Sequence, residues 1–434
     1  MNVYTTDRIR NVVLLGHGGC GKTSLVEAMA YLAGMTSRMG KVEDGNTISD
    51  YDKEEMKRHF SINTSVVPII WEDTKINILD TPGYFDFVGE TEEAVSAADA
   101  AIIVVSGKAG IEVGTRKAWE LCEQYKLPRM VFVTDMDIDE ASYRQVVQDL
   151  QELYGKKIAP FHLPIRENGQ FVGYVNVLQQ RAKRWKENGE VEKADVPDYS
   201  KENLGICREA LMEAVAETGK PVILVNMTGS AMDLRFADAH FSAVVQGWYP
   251  GARGGKAIAE LLFGEYSPSG KLPVTFYNSA DDLPAFTDYA MENRTYRYFA
   301  GDVLYPFGFG LTYGKTAVTA ASAEKTEGGW RVTASLEHSG AAGGDVVEVY
   351  IRDNESKFAV RNYSLCGFKP VAFSGAEMKQ AEIFVPDAAL EIVDDRGERR
   401  VDSRSFTLFV GVSQPDAHSC ALTGTRPAEI ELHI

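Results

Sequence analysis

The run Gly16-His17-Gly18-Gly19-Cys20-Gly21-Lys22-Thr23 constrains this chain more than any other, because it leaves an apolar strand and opens a helix. Glycines at these positions let backbone N–H groups converge on a phosphate, and the helix N-terminus adds partial positive charge. In such a loop Lys22 neutralises the β and γ oxygens, the Thr23 hydroxyl holds Mg2+, and Ser24 extends the nucleotide-binding set into the helix. A glycine-rich turn without a ligand is the bland alternative, and the agreement of strand, loop and helix weighs against it.

The flanking pattern fits a phosphate site. Residues 12–15, 66–70, 76–79, 101–105 and 130–133 are apolar strand-like runs. The last two are apolar throughout, as centrally buried parallel strands are. Helical spacing over 23–35, 114–126 and 141–154 separates or follows them, so a doubly wound α/β sheet is predicted. Residues 156–218 are more polar, with a charged stretch from Arg181 to Lys193, and are taken as an insertion subdomain. Further strands are predicted at 222–225 and 243–245, and a helix at 255–263. Residues 276–315 read as aromatic, glycine-rich loops. Beyond 316, short β-rich runs at 330–334, 345–351, 381–385 and 405–412 predict an antiparallel β-sandwich. The expected divisions are 1–155, 156–218, 219–315 and 316–434.

Lys plus Arg number 45 against 62 Asp plus Glu, a formal net charge of −17. A surface so acidic repels phosphate backbones and anionic headgroups, so neither direct nucleic-acid binding nor membrane binding is expected, although one local phosphate site is not excluded. Five cysteines are scattered and never form CxxC, which argues for a reducing compartment and against a disulfide framework or zinc. No apolar run approaches the ~20 residues of a membrane span. The amino terminus reads as a first strand and not as a signal peptide, which makes the cytoplasm the expected address.

Two companions sharpen the phosphate loop. Asp80-Thr81-Pro82-Gly83 places a carboxylate at a strand end, followed by a glycine whose amide can meet a γ-phosphate. Asp137 follows the strand at 130–133 and is positioned to accept the guanine N1 and N2 hydrogens; the alternative is a solvated loop carboxylate among Asp135, Asp139 and Glu140.

With GHGGCGKTSL, SDYDKEEMKR, NILDTPGYFDFVGE and AGIEVGTRKAWE, residues 1 to about 218 resemble the GTP-binding domain of elongation factor G, particularly its divergent bacterial paralogues. The resemblance implies GTP binding with Mg2+ and hydrolysis on the ribosome. It makes Gly16 to Thr23 the phosphate loop, Ser61 the residue at the switch position that offers a hydroxyl to Mg2+, Asp80 the magnesium-associated carboxylate and Gly83 the γ-phosphate sensor. Three departures stand out. Tyr84 occupies the place of the family's water-orienting histidine, so weak or absent hydrolysis is expected. Thr134-Asp135-Met136-Asp137 replaces Asn-Lys-x-Asp, keeping the base-reading Asp137 but losing the lysine. The resemblance ends before the last strand, the serine-alanine guanine loop and the ribosome-contacting domains, so translocation and ribosome binding are not expected.

Residues 219–434 resemble the carboxy-terminal part of glycoside hydrolase family 3, the β-glucosidases and β-xylosidases. The carrying runs are GKPVILVNMTGSA, VVQGWYPGARGGKAIAELLFGEYSPSGKLPVTF, RTYRYF and LYPFGFGLTY, with GGDVVEVYIRD, CGFKPV and FTLFVGVS in a fibronectin-type-III-like domain. Retaining glycosidases need two carboxyl groups about 5 Å apart, and the resemblance implies that both lie outside the matching region. Asp281, Asp282, Asp288 and Glu292 read as solvated loop residues. Tyr296, Tyr298, Phe299, Tyr305, Phe307, Phe309 and Trp248 suit either carbohydrate stacking or burial against the sandwich.

The chain therefore reads as two partial families joined near Thr218. The residues leave open whether the join is natural, engineered or an assembly error, and whether the chain has an evolved function at all. The leading expectation is a guanine-nucleotide-binding module joined to a non-catalytic glycosidase portion. The alternative is a glycosidase-related sugar-binding or interaction module. At the join, the apolar run 222–225 followed by Gly229, Ser230 and Ala231 suggests a substitute strand and guanine loop docked beside residues 130–133; coincidence, with the run kept in its own sheet, is the competing reading.

Overall fold

Strand β1 (Ile9–Leu15) buries Val13 and Leu15 on one side and Leu14 on the other. Successive side chains of a strand point to opposite faces, so a uniformly apolar run requires cover on both. The computed structural model, which describes residues 4–186 and 190–434, supplies that cover. It divides into two compact units, Met1–Gly219 and Lys220–Ile434.

In the first unit β1 is central. With β2 (Ser65–Trp71), β3 (Thr74–Asp80), β4 (Ala100–Ser106) and β5 (Arg129–Thr134) it forms a sheet of order β2-β3-β1-β4-β5. All neighbours are parallel except β2 and β3, which form a hairpin. Helix α1 (Lys22–Leu32) covers one face through Val26 and Ala30 against Leu14, Ile78 and Val104. The short α2 (Lys53–Arg58) precedes β2. Helices α3 (Val88–Ser96), α4 (Val113–Gln124) and α5 (Tyr143–Tyr154) cover the other face, where Val95, Trp119, Val146 and Leu150 meet Val13, Leu15, Ile103 and Val105. Because β1, β3, β4 and β5 run parallel, the loops after them converge on one edge, where such sheets hold ligands.

Strand β5 corrects one expectation. It is an edge strand and not a central one: Met130 is 61% and Phe132 42% exposed, while Val131 and Val133 face the covered side. Being last in the sheet order, it has β4 alone as a hydrogen-bonded neighbour among the described residues.

The polar region beyond α5 is more regular than its composition suggests. Strands β6 (His162–Glu167), β7 (Gln170–Asn176), β8 (Arg181–Trp185) and β9 (Val191–Ala194) form an antiparallel sheet in sequential order. Helix α6 (Asp198–Ala216) lays Leu204 on Ile165, Val175, Val177 and Ala182. The charged stretch 181–193 thus supplies two strands; its residues 187–189 lie outside the described residues.

In the second unit β10 (Ile223–Asn226), α7 (Arg235–His240) and β11 (Ala243–Gln246) form a parallel pair, followed by α8 (Gly254–Leu262). This overturns the docking of 222–225 beside β5. Ile223, Leu224 and Val225 take Ala243, Val244 and Val245 as partners, an apolar match reached through the nearby α7 crossover. The segment expected to be loop contains β12 (Phe276–Tyr277), α9 (Thr295–Tyr298) and β13 (Val303–Tyr305), with β12 and β13 paired.

The sandwich joins a sheet of β14 (Gly314–Thr326), β15 (Gly329–Gly340) and β18 (Glu377–Pro386) to one of β17 (Ser364–Phe373), β16 (Gly343–Asp353), β21 (Ser405–Gly411) and β22 (Ala428–His433). A two-residue pair, β19 (Ile392–Val393) and β20 (Arg399–Arg400), and helix α10 (Ala417–Thr423) complete it. Leu336, Val349, Ile383, Val385, Phe406 and Leu408 form its core. Tyr296 stacks on Phe307 with centroids 4.2 Å apart, and Tyr296 and Phe307 pack against Tyr350, Tyr363 and Phe409. Tyr305 and Phe309 stack on one another, Phe299 packs edge-on to Tyr277, and Trp248 reaches Phe276. No helix among the described residues is long and apolar enough to cross a membrane.

Candidate nucleotide-binding site

The loop between β1 and α1 wraps Lys22, which is 6% exposed. Its ammonium donates to the carbonyls of Gly16 at 3.1 Å and His17 at 3.0 Å, so the cation is held in the concavity of its own loop. The turn after β3 comes against it. A Cβ on Gly83 would lie 2.5 Å from Lys22 Nζ and 2.6 Å from the Gly18 nitrogen, so only glycine permits this approach. At Gly18 a Cβ would lie 2.9 Å from the Tyr84 ring, whose other neighbour is Phe60, edge-on at 4.8 Å. Where the resemblance places an imidazole, the molecule has a phenol ring lying on the loop.

Beside the lysine, oxygen atoms form a chain. Thr23 Oγ1 donates to Asp80 Oδ2 at 2.9 Å and lies 3.2 Å from Ser61 Oγ, which donates to Asp50 Oδ1 at 2.7 Å. Among the described residues Asp80 Oδ1 is buried without a well-formed hydrogen bond, although the Ser49 hydroxyl is near enough to favour the charged carboxylate. Burial pushes the Asp80 carboxyl up to about 6 against the Ser49 hydroxyl and the Lys22 charge, and burial also raises that of Asp50. Two buried carboxylates and two hydroxyls make an all-oxygen donor set, which suits a hard divalent cation such as Mg2+. Asp50 is the member that sequence reasoning missed. It stands at the head of SDYDKEEMKR, but only the fold brings it to Ser61. The same segment is pinned by Glu27, which accepts from Gly40 N at 2.6 Å and from Ile48 N, and by Glu55, which accepts from Ile62 N at 2.9 Å and Asn63 N at 3.0 Å.

The end of β5 is tied to the loop. Thr134 Oγ1 donates to the Cys20 carbonyl at 2.8 Å, and its methyl group lies under Gly21. Asp135, at the place of the missing lysine, has a positive φ of 55° and turns inward to accept from Ser106 Oγ at 2.5 Å. Arg166 donates to the carbonyls of Met136 at 2.6 Å and Ile138 at 2.9 Å, which fixes the loop that carries the exposed Asp137. Other members stand apart from this cluster. Ser24 is exposed on α1, Gly19 has open space around it, and the Cys20 side chain is buried with burial raising its thiol. The His17 ring leans away towards Glu112, Nε2 to Oε1 3.5 Å, with Nδ1 buried and without a hydrogen-bond partner among the described residues.

A glycine-rich loop after a central parallel strand, with its lysine enclosed and its threonine bonded to a strand-end carboxylate, defines a phosphate-loop nucleotide-binding protein. The model of the elongation factor Tu GTP binding domain matches residues 7–328, running through the first unit into the second, and the chain belongs to that family, whose domain binds guanine nucleotide. A fibronectin type III-like domain matches residues 345–414. Mitochondrial ribosome-releasing factor 2 of Anopheles gambiae is 37% identical over 182 residues, covering 42% of this chain and 25% of that protein. The chain thus spans a quarter of that relative's length. Among solved structures, a protein from Thermus thermophilus is 27% identical with a TM-score of 0.47, covering 88% of this chain and 52% of that one. A β-glucosidase from Kluyveromyces marxianus is 24% identical with a TM-score of 0.45, covering 52% of this chain and 28% of the enzyme.

Proposed function

We propose that the first unit binds guanine nucleotide together with Mg2+ and hydrolyses GTP slowly or not at all. The observation that carries the reading is the enclosed Lys22 beside the Thr23–Asp80 bond and the buried Asp80 Oδ1, which lacks a well-formed hydrogen bond among the described residues. In this reading the amides of Gly16 to Lys22 and the Lys22 ammonium hold the phosphates, and Gly83 senses the terminal one. Thr23, Ser61 and Asp80, joined by Asp50, hold the magnesium ion, which when bound neutralises phosphate charge. Thr134 keeps the base-side loop in register, and Asp137 reads the guanine edge. Turnover is limited at Tyr84, because a phenol cannot reproduce the hydrogen-bonding options of the imidazole that the resemblance places there.

The second unit is proposed to be a non-catalytic, glycosidase-type portion. Asp281, Asp282, Asp288 and Glu292 are exposed, and Asp282 and Asp288 accept from the nearby backbone amides of Ser279 and Ala290. Solvated carboxylates committed to local turns are poorly suited to serve as an acid–nucleophile pair.

Titration of a fluorescent GTP analogue in the presence of Mg2+ tests the first reading. Saturable binding is expected for the full chain, and Lys22→Ala is expected to abolish it. Absence of binding to both GDP and GTP at roughly millimolar concentration, weaker than ordinary substrate levels, would end the proposal.

A further inference from the structure

An antiparallel sheet covered on one face normally shows water an alternating polar face. The β6–β9 sheet departs from this. Its covered face holds Ile165, Val175 and Ala182 under α6, whereas its open face carries a run of touching rings. His162 and Tyr174 lie 4.9 Å apart, Tyr174 and Trp185 6.0 Å, and Trp185 and Phe171 4.8 Å between centroids. Trp185 is 38% exposed, and Phe161, which extends the run beyond His162, is 42% exposed.

Cations line the same face. Lys183 pairs with Tyr174 on one side and with Lys193 on the other, so two ammonium-bearing side chains stand directly opposite across β8 and β9. Like charges at paired positions oppose sheet formation. Among the described residues neither lysine has a carboxylate partner, and nor does Arg181 on the same face, although Lys186 and Arg184 nearby do. In a chain with a net charge of −17, an unneutralised cationic pair beside open rings is complementary to an anionic ligand that also has flat apolar faces.

We propose that this face binds a segment of single-stranded RNA, with bases stacked on Tyr174 and Trp185 and phosphates met by Lys183, Lys193 and Arg181. Stacking platforms flanked by cations are how single strands are held without regard to sequence. The ribose commits the assignment to RNA. At the rim, Asn176 Nδ2 donates to His162 Nε2 at 3.1 Å, which leaves the second amide hydrogen of Asn176 to donate to a 2′-hydroxyl. Burial, and then Lys183, hold His162 below its ordinary value, which favours the neutral ring that accepts from Asn176. The site is separate from the phosphate loop and does not depend on the nucleotide reading.

Fluorescence anisotropy of an end-labelled oligouridine of about ten nucleotides, within the site size of a small stacking platform, tests this on the full chain at low salt with excess GDP. Saturable binding that weakens steeply with salt is expected. Trp185→Ala should weaken it about tenfold, and Trp185→Phe should recover most of the loss. The double variant Lys183→Ala/Lys193→Ala should flatten the salt dependence and leave the melting temperature unchanged or higher, which separates binding from folding. Absence of binding, or binding untouched by both sets of variants, overturns the proposal. Equal affinity for the deoxy oligomer overturns the assignment to RNA. Competition by polyglutamate that is indifferent to Trp185→Ala assigns the face to an acidic protein instead.

Discussion

At position 84 a phenol ring stands where the resemblance places a water-orienting imidazole. Tyr84 lies on Gly18 and is met edge-on by Phe60 while remaining 42% exposed. Tyr84→His should raise single-turnover GTP hydrolysis at least about tenfold, since a positioned general base contributes ~10²–10⁴ in favourable cases. An unchanged rate would place the limit elsewhere in the site. A second residue-scale prediction concerns Glu348 in β16. It is 3% exposed, bonded to Tyr350, and raised by burial to about 7 from an ordinary 4.5. Between those values the folded chain keeps a proton that the unfolded chain has lost. Stability is therefore fully present below about 4.5 and is lost as pH rises towards about 7, by roughly 2–3 kcal/mol. Denaturant midpoints measured across that window should fall with pH in the wild type and flatten in Glu348→Gln; parallel curves would show that Glu348 does not govern the slope.

Among the elements, β5 shows both the reach and the limit of sequence. Its apolar run is a clear strand, but a strand apolar on both faces reads the same whether central or waiting at an edge. Only the order β2-β3-β1-β4-β5 reveals Met130 and Phe132 in the open. An unpaired edge with apolar side chains favours association. Met130→Lys/Phe132→Lys should therefore suppress concentration-dependent light scattering while changing the melting temperature little, because neither side chain is buried. Undiminished scattering would point to another surface. The phosphate loop was legible because its chemistry is contiguous, from Gly16 to Thr23. Asp50 was not, because it reaches Ser61 through folding of the 33–64 segment, held by Glu27 and Glu55, whose partners are backbone amides without a sequence signature. The strands β8 and β9 were hidden for a third reason: a five-residue and a four-residue strand rich in charge offer too few alternations to declare a period.

At the scale of the whole molecule, each of the two compact units holds a hydrophobic core of its own. Cores that share no residues respond independently to substitution when the sites are distant. Leu408, fully buried among Leu336, Val349 and Phe406, is the position to perturb. Leu408→Ala should destabilise the second unit by about 2–5 kcal/mol through lost burial and the cavity left behind. Affinity of the full chain for the GTP analogue should be unchanged, because no residue of the phosphate loop belongs to that core. Conversely, saturating nucleotide should stabilise the first unit alone, by about 2.7 kcal/mol at a hundredfold excess over its dissociation constant. Differential scanning calorimetry of the full chain then resolves the matter. The expected record has two transitions, one moved upward by nucleotide and the other moved downward by Leu408→Ala. A single transition shifted by both treatments would show that the two cores melt as one cooperative body, and would require the nucleotide's effect to be transmitted across the chain at Gly219.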